Sequence, residues 1–173
     1  MWFHDHDTVS FSELIIENNE ALYLYREPTD TLFSYLVYQF NKGESLKNYK
    51  GNLDVLVDAA SMHYRSHLQK WLIDKPAKTI VKYENFKKDF NSEFKKICEH
   101  FEEAVDYPRL EFCSNLVTPE RLSSRRVERN TLSDFMLTDN YKQERWWFRD
   151  TYELAINSIV KTNELRGFFD EDL

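Results

Sequence analysis

An α/β domain with a small parallel sheet flanked by helices is what the sequence predicts, on three observations. Two short strand-like runs, Ala21–Tyr25 and Lys78–Tyr83, are each followed directly by apolar residues at helical spacing. The runs are separated by two helical patterns, the length that a parallel crossover needs and a hairpin does not. The chain is also one domain's length: 173 residues, 42% hydrophobic and 31% charged, enough for a real core. No repeat, low-complexity tract or Pro/Gly-rich linker divides it, so residues 1–173 are read as a single domain.

The elements follow in order. Ala21-Leu-Tyr-Leu-Tyr25 is an apolar and aromatic run between Asn18-Asn19-Glu20 and Arg26-Glu27-Pro28, and it predicts a buried strand. Pro28-Thr29-Asp30 supplies helix-start chemistry, and Leu32, Phe33, Leu36, Val37 and Phe40 carry the helix to Lys42-Gly43. A long helix follows the loop at Gly51, with Leu53, Leu56, Ala60, Tyr64, Leu68 and Trp71 on one stripe, Asp54, Asp58 and Arg65 off it, and Pro76 closing it. Lys78–Tyr83 is the second strand, and Phe86, Phe90, Phe94, Ile97, Cys98 and Phe101 predict the next helix. From Asp106 to about Asp134 the periodicity dissolves around Pro108 and Pro119, so this stretch is expected to be largely irregular. Asp139 to Arg166 is helical again, with a break expected near Trp146 and Gly167 as the terminating glycine.

Composition excludes several functions. With 23 Lys+Arg against 30 Asp+Glu the net charge is -7, which disfavours non-specific binding to nucleic acid or an anionic membrane. No stretch is apolar for the ~20 residues of a membrane helix, and the start, Met-Trp-Phe-His-Asp-His-Asp, is not a secretory leader. Cys98 and Cys113 are too few for a disulfide scaffold, and no asparagine stands in an Asn-x-Ser/Thr acceptor. A soluble protein, cytoplasmic rather than secreted, is the expectation.

Chemistry concentrates where the strands end, since ligands of parallel sheets sit beyond the carboxyl ends of the strands. Arg26 to Asp30 and Tyr83 to Asn85 should therefore face one crevice. In Arg26-Glu27-Pro28-Thr29-Asp30-Thr31-Leu32-Phe33-Ser34, an arginine ends the strand, a helix starts two residues later and a serine follows within it. Guanidinium, free amide N–H groups and hydroxyl could surround one phosphate. This stretch resembles the phosphate motif of the sulfotransferase family, which uses 3′-phosphoadenosine 5′-phosphosulfate (PAPS). The resemblance implies that Arg26 and Ser34 hold the 3′-phosphate, with Asp30 supporting the turn. The ordinary alternatives are a surface ion pair for Arg26 and a solvated helix serine for Ser34.

Ile80-Val-Lys-Tyr83-Glu84-Asn85-Phe86 is similar to the family's strand ending in Tyr-Glu-Asp/Asn-Leu, which implies that Tyr83 lies against the adenosine; otherwise it is a half-buried strand-end tyrosine. Arg125-Arg126, with Arg129 nearby, occupies the place of the family's late basic motif, which closes over the phosphates; a solvated basic loop is the alternative. Phe3-His4-Asp5-His6-Asp7 precedes the first strand at the distance of the family's Thr-His segment, so His4 or His6 is the implied base. A metal could rival this reading at His4 and His6, or at His63 and His67, but neither pair has a full ligand set and no metal is expected.

The implied fold is thus sulfotransferase-like, of the P-loop nucleoside triphosphate hydrolase type. It is incomplete at its N-terminus, because the family's glycine-containing 5′-phosphosulfate loop has no counterpart: Gly43, Gly51 and Gly167 are scattered. The implied reaction moves a sulfuryl group from PAPS to a hydroxyl or amine of a small-molecule or carbohydrate acceptor, leaving adenosine 3′,5′-bisphosphate. Either that first βα unit lies upstream, or the chain is a short form without the usual sulfuryl-transfer machinery, whose missing loop a homo-oligomer or a partner chain could supply. A different class of function, a non-catalytic nucleotide-binding or protein-interaction module, is suggested by Trp146-Trp147-Phe148, which cannot all face a core.

Overall fold

The structure, a computed structural model, describes residues 21–41, 45–74, 79–116 and 139–170. It is mostly helical with a small parallel sheet of two strands. Strand β1 (Leu22–Tyr25) pairs with β2 (Thr79–Lys82) in register Leu22↔Thr79 to Tyr25↔Lys82. Between them lie α1 (Pro28–Leu36), which runs on as a π-turn over Val37–Asn41, a 3-10 turn at Leu46–Asn48, and α2 (Leu53–Leu68), extended by a π-turn over Gln69–Asp74. After β2 come α3 (Tyr83–Lys88), α4 (Phe90–His100), α5 (Tyr107–Leu116), α6 (Asp139–Val160) and a 3-10 turn at Arg166–Phe168.

Local chemistry explains most boundaries. Pro28 opens α1 where its missing N–H costs nothing. Asn52 caps α2 by accepting from Val55 N at 3.2 Å, and Asp89 caps α4 by accepting from Ser92 N at 3.0 Å. The Asp89 cap divides the predicted phenylalanine helix into α3 and α4, although the rings still meet across the joint, Phe86 to Phe90 at 5.7 Å and Phe90 to Phe94 at 5.8 Å.

The core lies between α1, α2, α6 and one face of β1. Phe33 of α1 packs against Tyr141 and Phe148 of α6 at ring distances of 5.1 and 5.4 Å. Val57, Ala60 and Leu68 of α2, with Ile156 and Val160 of α6, are buried in the same cluster. Tyr23 stacks on Trp71 at 6.0 Å, while Tyr25 meets Phe169 edge-on at 5.6 Å and donates its hydroxyl to Phe168 O at 2.8 Å. The chain beyond α6 is thereby fastened to β1, and Leu165 and Phe169 are buried there.

Four expectations need correction. First, β1 is not buried throughout: Tyr23 and Tyr25 point inward while Leu24 is half exposed, the alternation of a strand with one covered face. Second, part of the stretch expected to be irregular is α5. Asp106 accepts from Arg109 N at 3.0 Å and Pro108 sits in the first turn, so the proline starts this helix rather than preventing it. Third, α6 is unbroken at Trp146; at 100° per residue Trp146 faces solvent and Phe148 the core, with 70% and 0% exposure. Fourth, α6 stops at Val160, and Gly167 belongs to the following 3-10 turn. Among the described residues no helix is long and apolar enough to cross a membrane.

Candidate functional site

Because β1 and β2 are parallel and paired to their last residues, the chain leaves both strands side by side, and Arg26 and Tyr83 are the first residues beyond them. The Arg26 guanidinium lies over the Tyr83 ring, 4.8 Å from its centroid. Glu84, next along, accepts from Glu27 N at 3.2 Å and stands 3.9 Å from Arg26 Nε. The two strand ends thus meet in one place.

Tyr64 on α2 fixes the arginine's backbone. Its hydroxyl donates to Arg26 O at 2.7 Å and accepts from Arg26 N at 3.4 Å. Burial pushes the Tyr64 hydroxyl up to about 12, against opposing hydrogen bonds to Thr31 and Arg26, so it remains a proton donor at neutral pH. Tyr25, also raised to about 12 by burial and then by Glu84, stays neutral as well.

The helix beginning at Pro28 has an open N-terminus. Its first-turn N–H groups have no intrahelical acceptor, and no side chain caps them, since Glu27 turns away to accept from Lys161 Nζ at 2.8 Å. Thr29 Oγ1 and Arg26 Nε are both buried without a hydrogen-bond partner. Orphaned donors beside an open helix end suit the oxygens of a phosphate, while the equally buried and unpartnered Glu27 Oε2 and Glu84 Oε2 oppose an anion there.

Asp30 holds the turn from below. Its side chain is 10% exposed and accepts from Arg26 Nη2 at 3.2 Å, and from Arg145 Nε at 2.8 Å with a second, shorter bond from Arg145 Nη2. Burial alone would raise its carboxyl. The Arg145 hydrogen bond and the charges of Arg145, Arg26 and Arg149 outweigh burial and hold it below the usual carboxylate range. Ser34 stands one turn beyond Asp30 on α1, half-buried.

Of the residues singled out from sequence, Arg26 and Tyr83 are in contact, and Ser34 lies on the face of α1 that continues from Asp30. The ion pair that was the plain alternative for Arg26 is also present, with Asp30 as partner. His4, His6, Arg125, Arg126 and Arg129 lie outside the described residues. His67 bonds the Tyr23 hydroxyl through Nδ1 at 2.9 Å, and no group of three metal-ligating side chains occurs among the described residues. Sequence reading missed Tyr64, Glu84, Arg145 and Lys161. Arg145 and Lys161 contact residues 115 and 134 positions earlier, and no short-range pattern announces such pairs.

Parallel strands whose ends present an arginine beside an open helix N-terminus define an α/β protein with an anion-ready turn. A family model described as "Sulfotransferase domain" matches residues 3–149, and the chain belongs to that family. It is therefore of the class of transferases that move a sulfuryl group. Comparison with curated proteins and with solved structures gives no significant match.

Proposed function

We propose that this protein is a PAPS-dependent sulfotransferase whose turn Arg26–Asp30 holds the 3′-phosphate of the nucleotide. The observation that carries the reading is the buried Arg26 Nε, which makes no hydrogen bond, beside the uncapped start of α1, inside a chain of the sulfotransferase family. Arg26 and Ser34 would bind the phosphate, and the partly exposed Tyr83 would lie along the adenosine. Arg125 and Arg126 would close over the remaining phosphates, and His4 or His6 would take the proton of a hydroxyl or amine on a small-molecule or carbohydrate acceptor. Bound PAPS would supply the activated sulfuryl group. The family match, the parallel strands and the site at their carboxyl ends support this reading over the interaction-module alternative, which exposed apolar side chains such as Trp146 and Leu154 on α6 favour.

The test is thermal unfolding with and without adenosine 3′,5′-bisphosphate, on the wild type and on Arg26→Gln. At 100 times its dissociation constant a ligand adds about 2.7 kcal/mol, or roughly 5–10 °C for a chain of this length. The expected shift is present in the wild type and lost in the variant. No shift in the wild type overturns the proposal.

A further inference from the structure

Two carboxylates face the Arg26 guanidinium, Asp30 at 3.2 Å and Glu84 at 3.9 Å, and a third acid, Glu27, is its neighbour in the chain. An arginine among three acids is poorly suited to hold a phosphate, because each acid draws on its charge and repels the incoming anion. Two of the three are taken by cations from the far end of the chain. Arg145 on α6 grips Asp30 with two donors of one guanidinium edge, Nε to Oδ1 at 2.8 Å and Nη2 to Oδ2. Lys161, the first residue after α6, donates to Glu27 Oε1 at 2.8 Å. Arg26 keeps a single hydrogen bond to Asp30, at 3.2 Å, and a longer contact of 3.9 Å with Glu84. Its Nε, which makes that longer contact, remains buried without a hydrogen bond.

Resting on the nucleotide reading above, we propose that Arg145 and Lys161 are positioning residues for anion recognition: they neutralise Asp30 and Glu27, so that the charge of Arg26 is presented to a phosphate. Neither cation needs to touch the ligand. Arg145 is half-buried, with its fork aimed at Asp30, and Lys161 lies between Glu27 and the Phe169 ring, 5.4 Å from its centroid. A bare Asp30 would otherwise pair fully with Arg26, four residues before it at the base of the same turn. Because both cations come from α6 and its end, affinity for the nucleotide depends on α6 being docked.

The experiment is a double-mutant cycle read by titration calorimetry with adenosine 3′,5′-bisphosphate on the full chain. Arg145→Gln should weaken binding by about tenfold, the size of coupling expected between charges in one network. Combining it with Asp30→Asn should return the affinity to within about twofold of Asp30→Asn alone, because the acid that needed neutralising has gone. Lys161→Gln and Glu27→Gln form a second cycle with the same expected pattern. Arg145→Gln binding as tightly as the wild type overturns the proposal. So does a double variant that is as weak as Arg145→Gln while Asp30→Asn alone binds as tightly as the wild type. A merely structural pair would also be rescued when both partners are removed, so urea unfolding of Arg145→Gln accompanies the titration; an affinity loss that only tracks partial unfolding overturns the proposal as well. If the wild type itself binds no nucleotide, the reading of the site falls first and this inference falls with it; wild-type binding with an unaffected Arg145→Gln refutes the inference alone.

Discussion

Replacing Tyr64 by phenylalanine removes one oxygen and leaves the ring, which makes it a clean perturbation of the strand end. The hydroxyl makes two bonds to the backbone of Arg26, a strong one donated to the carbonyl at 2.7 Å and a weak one accepted from the N–H at 3.4 Å. Stranding a buried acceptor costs about 1–3 kcal/mol, and the 3.4 Å bond adds little. Both bonds are only part-buried, so water can partly replace the lost donor and the lower end applies, about 1–2 kcal/mol. For a chain of this length that lowers the melting temperature by roughly 2–8 °C. Urea unfolding followed by circular dichroism measures it directly, with the midpoint falling and the slope unchanged. A loss under about 0.3 kcal/mol at equal slope would refute the argument that Tyr64 holds the Arg26 peptide in place.

The depressed carboxyl of Asp30 gives a prediction on the acid side. A group whose pKa is lower folded than unfolded stabilises the fold above its unfolded value, and that contribution disappears as pH falls through the folded one. Stability should therefore drop below about pH 4, and Asp30→Asn should flatten that part of the curve in urea unfolding at successive pH values. In the core, Phe148→Ala should cost about 3–5 kcal/mol, because the ring is fully buried between Phe33 and Tyr152. Trp146→Ala, two residues away and 70% exposed, should change stability by no more than about 0.5 kcal/mol in the same measurement.

What could be read from sequence was whatever depends on neighbours along the chain. The strand ends at Arg26 and Tyr83, the proline start of α1, and the stripe Ala60, Tyr64, Leu68 and Trp71 all follow from local period and local chemistry. The meeting of Arg26 with Tyr83 also followed, because parallel pairing leaves little freedom in where the two chains emerge. Helix α5 was hidden because it has no apolar stripe: Leu110 is buried, but Phe112 two residues later is 64% exposed. Pro108 then suggested a loop, whereas a proline in a first turn is compatible with a helix. The partners of Asp30 and Glu27 were illegible for a different reason. An acid in a helix's first turn is already explained by the helix dipole, so nothing in Pro28-Thr29-Asp30 signals that a guanidinium arrives from α6.

That guanidinium stands in an unusual place on its own helix. Tyr141, Phe148, Tyr152, Ile156 and Val160 form the face of α6 that packs inward, and Arg145, four residues after Tyr141 and three before Phe148, lies along the same face. A charge at such a position gives up hydration, and an apolar side chain of similar size commonly serves stability as well or better. Overall stability therefore does not account for an arginine there. What an apolar residue cannot supply is a bidentate fork that satisfies both oxygens of Asp30 at once. The gain is local: one helix fills the core with its aromatic residues and, through one half-buried cation, sets the charge of the turn where the parallel strands end.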